Sequence, residues 1–154
     1  MKPTDERAGT HPRIRLLTPA EHADDANAAD TTALTILTIS NDEELPPLAA
    51  RIAQAARIDL HFPSFTDGRA YSQAYLLRKR FGFAGDLRAT GDVLIDQLLL
   101  MERTGFSSAV LAADADLAAA QRQLDRFPGF YQRDARTATP RPDAATLAEK
   151  ETEK

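Results

Sequence analysis

The sequence predicts an α/β fold of about four parallel strands alternating with helices, and three observations point there. A Gly-Phe pair closes three successive segments, at Gly82-Phe83, Gly105-Phe106 and Gly129-Phe130. A short Asp-bearing turn opens each of them: Thr66-Asp67-Gly68, Thr90-Gly91-Asp92 and Ala113-Asp114. The spacing of about two dozen residues is the length of one strand plus one crossover helix, the unit from which parallel sheets are built.

Taken in order, residues 1 to about 30 are rich in Ala, Asp, Thr and Pro and carry Ile14, Leu16 and Leu17 as a short β-like run, so they are expected to form a mostly flexible arm. The strands of the domain, residues 31–132, are Ala33–Ile39, Ile58–Phe62, Asp86–Thr90 and Ser107–Ala112, each short and β-rich in composition. A first helix runs from near Pro46 to Ala56, with Asn41, Asp42, Glu43 and Glu44 ahead of it and proline tolerated in its first turn. A second spans roughly Ala70–Phe81, where Ala70, Ala74, Leu77 and Phe81 share one face and make it a surface helix. In the third, Val93–Arg103, the apolar residues spread beyond one stripe, so it wants burial on two sides. From about residue 133 the apolar periodicity ends, and Pro140 with Pro142 stiffens an extended tail.

Parallel sheets rarely leave a face bare. Two arrangements satisfy this: helices divided between both faces, as in a small doubly wound sandwich, or half of a βα barrel that dimerises or is capped by the N-terminal segment.

Composition narrows the chemistry. With 154 residues the chain has room for one domain, and a net charge of -4 argues against a general affinity for nucleic acid or anionic membrane. The absence of cysteine excludes disulfides, thiolate nucleophiles, iron–sulfur ligation and cysteine-built zinc sites. No apolar run follows the N-terminal charges and none approaches a membrane span, so a cytoplasmic location without membrane attachment is expected. His61 is the lone histidine of the core, with His11 and His22 in the arm, which argues against a multi-histidine metal site. Ser64 and Ser72 lack a nucleophile elbow, and neither a G-x-G-x-x-G nor a P-loop pattern occurs. The triplet Arg78-Lys79-Arg80 fits a solvated helix face, and Tyr71 with Tyr75 fits an edge of the core.

What remains is the stretch Phe62-Pro-Ser-Phe-Thr-Asp-Gly-Arg69. In a parallel sheet the C-terminal strand ends and helix N-termini share one edge, where ligands bind in such folds. Pro63 ends the second strand, Thr66 or Asp67 caps the next helix and Arg69 enters its first turn. The following unit repeats the layout, with Arg88 inside a strand and Thr90-Gly91-Asp92 leading into a helix. Two helix N-termini side by side, with Arg69 and Arg88 as guanidinium forks, would form an anion pocket of Thr66, Asp67, Gly68, Arg69, Arg88, Thr90, Gly91 and Asp92. The alternative is structural: the aspartates are N-caps, the glycines allow tight turns and the arginines pair with the aspartates.

The run from Phe62 to Phe106 closely resembles the central signature of the DUF934 family, with weaker similarity to about Phe130. Its Phe-Pro-x-Phe-Thr-Asp-Gly-Arg element falls on Phe62, Pro63, Phe65, Thr66, Asp67, Gly68 and Arg69, followed by Tyr71-Ser72. Its Leu-Arg-Ala-x-Gly-Asp element falls on Leu87, Arg88, Ala89, Gly91 and Asp92, with Asp96-Gln97 beyond. The family is usually described only as candidate oxidoreductases of bacteria associated with sulfite reduction, so the resemblance implies a place in assimilatory sulfur metabolism without a mechanism. Members often carry a cysteine before the second Gly-Phe and an acidic residue before Phe-Pro; this chain has Thr104 and His61 there. Three functions follow as expectations. One is an accessory protein of sulfite or sulfate reduction that binds an oxyanion or nucleotide-linked sulfur species at the strand edge. The second is an oxidoreductase using a bound cofactor of unknown identity. The third is a non-catalytic module that docks on a sulfite reductase subunit, on a related sulfur-assimilation enzyme, or on itself as a homodimer.

Overall fold

The computed structural model describes residues 13–126. Five strands, β1 (Arg15–Leu17), β2 (Ile36–Ile39), β3 (Arg57–Phe62), β4 (Asp86–Gly91) and β5 (Ser108–Val110), form one parallel sheet in the order β1-β5-β4-β3-β2. The helices are α1 (Pro19–Thr32), α2 (Ala49–Gln54), α3 (Arg69–Lys79), α4 (Leu98–Thr104) and α5 (Leu117–Asp125), with 3-10 turns at Pro46–Leu48 and Ile95–Gln97 leading into α2 and α4. The expected alternating α/β class is therefore present, with a fifth strand taken from the N-terminal segment.

The sheet has two unlike faces, and the strand sequences dictate this. Parallel strands buried on both sides read as continuous apolar runs, whereas β3 (RIDLHF) and β4 (DLRATG) alternate. Because successive side chains point to opposite sides, the register lines up one apolar row, Ile39–Leu60–Ala89–Ala109–Leu16, and one polar row, Thr38–Asp59–Arg88–Ser108–Arg15. Arg57 and Asp86 sit opposite each other on the polar side as well.

From β2 to β5 the chain steps one strand at a time in one direction, so right-handed crossovers place α2, α3 and α4 on a common face. There Ile52, Ala70, Ala74, Leu77, Leu98 and Met101, joined by Ala120 and Leu124 of α5, are buried against the apolar rows. Each large aliphatic side chain buried there contributes about 2 kcal/mol of transfer free energy. The Gly-Phe pairs acquire a role: Phe83 and Phe106 are core residues. The Phe106 ring lies 5.8 Å from Phe62, and Tyr71 of α3 stacks edge-on against both. Arg78 departs from the expected solvated face, since its guanidinium donates to the carbonyls of Phe83, Gly85 and Gly105 and lies against the Phe83 ring. Tyr75 is exposed, while Tyr71 is half-buried.

The step from β1 to β2 crosses the whole sheet in the opposite direction, which carries α1 to the polar face. This corrects the expectation of a mostly flexible arm over residues 15–32. The helix is locally specified: Thr18 accepts from the Glu21 amide, Glu21 reaches back to the Thr18 amide, Pro19 fills the first helical position, and Ala33 ends the helix in the left-handed region at φ 56°. The sheet thus carries four βα units with their helices on one face and the N-terminal segment covering the other, so that helices lie on both faces. The expected first strand begins at Ile36 because Ala33 belongs to this cap. The third expected helix begins at Ile95 rather than Val93. Residues 1–12, the Gly129-Phe130 pair, the end of the domain at 132 and the tail from 133 lie outside the described residues.

Among the described residues Ala33 is the one non-glycine with positive φ. A left-handed Ala costs about 1–2 kcal/mol, partly offset in a glycine variant by its freer unfolded chain. Ala33→Gly is therefore expected to raise stability by about 0.5 kcal/mol, read from a urea unfolding curve with an unchanged slope.

Candidate functional site

The connections that follow β2, β3, β4 and β5 leave the sheet at its C-terminal edge and form a single rim. Side chains staple them together. The Asn41 amide donates to Asp67 Oδ2 at 2.6 Å, Gln73 donates to the carbonyls of Ser40 and Glu43, and the Phe65 amide donates to Asp92 Oδ2 at 2.9 Å. Gln97 donates to the Phe65 carbonyl, and the Asp92 amide donates to the Phe62 carbonyl. Phe65 is thereby fixed at both its amide and its carbonyl while its side chain stays 44% exposed.

Most of the residues singled out in the sequence meet here. Thr66 pairs with Ser64 through their hydroxyls; Asp67, Gly68 and Arg69 form the turn into α3; Thr90, Gly91 and Asp92 end β4 beside them. Asp67 accepts from the Arg69 amide, and Gly68 holds the N-cap position without a side-chain bond; Asp92 serves the Phe65 loop rather than a helix. Arg88 is the exception. It points to the polar face in mid-strand, where only 2% of its side chain is exposed, and it pairs with Asp86 at 2.8 Å and Asp25 at 2.9 Å. Arg69 is closed on Asp67 at 2.7 Å. The two guanidinium groups do not face one gap, which corrects the expected pairing of Arg69 with Arg88 in one anion pocket. The reason is the period of a strand: Arg88 points to the polar face under α1, whereas Arg69 begins α3, which packs on the opposite face of the sheet.

The rim's electrostatics are acidic. Asp42, Glu43, Glu44, Asp67, Asp92, Asp96, Asp114 and Asp116 lie in the four connections and the turns that end them, where Arg69 pairs with Asp67 and Arg122 of α5 approaches Asp116 at 3.8 Å. Other cations gather at the far ends of the helices, with Arg51, Arg78, Lys79 and Arg103 in last turns. Both placements suit the helix dipoles. The hydrogen bonds from the Arg69 side chain and amide hold the Asp67 carboxyl down at about 2. Asp67 is accordingly expected to titrate near 2 by carboxyl-carbon NMR and to return toward the ordinary range near 4 in Arg69→Ala. A depressed folded value means that any stabilisation from this pair is present above the unfolded value and is lost as pH falls through it toward 2.

The second polar assembly lies under α1. Arg57 forks onto Asp59 at 2.8 and 3.1 Å. Arg88 Nε donates to Ser108, one terminal nitrogen to His22 Nδ1, and the other to both Asp25 and Asp86. Burial alone pushes the Asp86 carboxyl up, but hydrogen bonds from Ser107 and Ser108 and the Arg88 guanidinium outweigh it and hold it low. The Arg88 hydrogen bond keeps Asp25 low, and burial lowers His22, so its ring stays the neutral acceptor this contact needs. His22 and Asp25 belong to the segment expected to be flexible, and the sequence did carry their signal: Thr18-Pro19-Ala20-Glu21 is a capping box. His61 is exposed and reaches Thr90 Oγ1 at 3.4 Å. The buried Tyr71 hydroxyl has no hydrogen-bond partner, and burial pushes it up to about 12. Among the described residues no group of three or more His, Asp or Glu side chains is arranged to hold a metal ion, and no helix is long and apolar enough to cross a membrane.

A family model described as "Bacterial protein of unknown function (DUF934)" matches residues 36–141, from β2 through α5, and so takes in the rim and the strands of the polar face while starting after α1. No curated protein matches the chain.

Proposed function

This chain belongs to the DUF934 family, and from that premise we propose that it is an accessory protein of assimilatory sulfite or sulfate reduction that docks its acidic rim on a basic face of a reductase subunit or related enzyme. The observation that carries the docking mode is the rim itself: eight carboxylates against Arg69 and Arg122, around an exposed Phe65 whose backbone is pinned on both sides. Such a surface repels a free oxyanion through its excess of carboxylates, and it favours a cationic partner. A preordered aromatic within a charged ring is the arrangement that anchors protein interfaces, since the ring orders no loop on binding and the charges steer the encounter.

The test is titration of the immobilised chain with purified sulfite reductase subunits and neighbouring enzymes of sulfate assimilation. Binding to one of them that weakens at least ~tenfold on raising salt to ~0.3 M, and by a further ~tenfold in Phe65→Ala, supports docking. Absence of binding to all of them at low salt removes the proposal, and binding indifferent to both salt and Phe65→Ala removes the rim from it. The oxidoreductase alternative needs a bound cofactor; a flavin, haem or nicotinamide band in freshly purified protein would favour it over docking.

A further inference from the structure

A guanidinium buried on a sheet ordinarily satisfies itself within the sheet, and Arg57 does so through Asp59 on its own strand. Arg88 does not. The sheet supplies Ser108 to its Nε and Asp86 to one edge, while both terminal nitrogens also reach across to α1, one to His22 at 3.1 Å and the other to Asp25 at 2.9 Å. A pair of acceptors on the two terminal nitrogens is what a single bidentate oxyanion presents to a fork. Here two side chains from a separate helix stand in those places.

The helix that brings them is held mainly by its own caps and by polar contacts. Its capping box and left-handed C-cap satisfy its ends without help from the sheet. Among its described side chains Ala29 alone is buried, so little apolar surface holds it down. Its ties to the sheet include the Asp25 contacts to Arg88 and Arg15, and its exit passes through the strained Ala33. Lifting α1 would leave Arg15, Arg57 and Arg88 facing Asp59 and Asp86, an excess of one positive charge on that face of the sheet.

We propose that the polar face around Arg88 and Ser108 is a binding site for a small monoanion presenting two oxygens, a carboxylate or comparable oxyanion, and that α1 is its displaceable cover. Asp25 and His22 occupy the ligand's place when the site is empty. The site is separate from the rim, so rim docking and this inference stand or fall independently.

The experiment uses the full chain with formate, acetate and sulfate as probes and chloride at matched ionic strength as control. In Asp25→Ala the vacated position is expected to take formate or acetate, raising Tm by on the order of 5 °C at saturation while chloride does nothing. Asp25→Asn, which keeps the shape of the cover but loses the charge that competes with the anion, is expected to respond to formate or acetate more than the unaltered chain and less than Asp25→Ala, and keeps the test open should the alanine variant fail to fold. In the unaltered chain, formate or acetate is expected to speed hydrogen exchange of the α1 amides and slow that of β4. A response to sulfate above that to formate would replace the monoanion by a dianion and overturn the charge argument. Variants that lose stability and respond to no probe beyond chloride would make Asp25 a structural tie and overturn the site, as would slowed α1 exchange on adding the anion.

Discussion

Arg88→Ala is expected to lower the free energy of unfolding by about 3–5 kcal/mol, the cost of stripping one partner from a buried ion pair. The size follows from what stays behind. Asp86 keeps its hydrogen bonds from Ser107 and Ser108 but loses the guanidinium that faces it, and Asp25 and His22 lose their contact with the sheet. The pH dependence is as diagnostic as the magnitude. With Arg88 in place the Asp86 carboxyl is held below its ordinary value, so its contribution is present at neutral pH and is lost as pH falls through the carboxylate range. In the variant the hydrogen bonds from Ser107 and Ser108 still lower Asp86 against the burial that raises it, but the guanidinium no longer adds to them, so less stability is left to lose as pH falls and the gap to the unaltered chain narrows on acidification. Urea unfolding at neutral pH and near pH 5 measures both effects. A loss below about 1 kcal/mol would mean that the polar face is not sealed as described. Arg69→Ala is the contrast: its ion pair is exposed, and stability should be unchanged within error.

Gly91→Ala is expected to cost about 3 kcal/mol or more and to loosen the rim. Gly91 has φ +87°, and a Cβ there would lie 2.2 Å from the Phe62 carbonyl oxygen and 2.7 Å from the His61 ring. The carbonyl cannot yield, because it accepts from the Asp92 amide at the point where β3 and β4 hand over to the rim loops. Faster amide exchange at Phe65 and Asp92 should accompany the lost stability. Gly68→Ala provides the control: its φ is -82° and the nearest atom to a new Cβ is 3.8 Å away, so the change should fall within about 0.5 kcal/mol of zero. The two glycines look alike in their turns, and only one is obligatory.

The comparison of β3 with the arm shows where sequence reasoning reached and where it stopped. Alternation in RIDLHF and DLRATG was visible, yet the period announces two faces without naming what covers the second. The Ala, Asp and Thr content of the arm reads as flexible because a helix held by a few polar contacts has almost no apolar stripe to detect. The capping box at Thr18 was the available signal. At the rim, the adjacency of the turns around residues 67 and 91 was legible, since consecutive parallel units must deliver their loops to one edge. The direction of Arg88 follows from its strand position and not from the loop spacing, because the pleat turns it to the polar face.

By itself the sequence determined the parallel α/β class, the repeating βα unit with its Phe plugs, and the shared edge of the strand-end loops, because these depend on short-range periodicity and chain connectivity. Tertiary structure alone decided that α1 crosses the sheet to close on Arg88, since that contact joins residues more than sixty positions apart. A charged fork buried in a sheet must be answered from somewhere, and nothing local in the strand says from where.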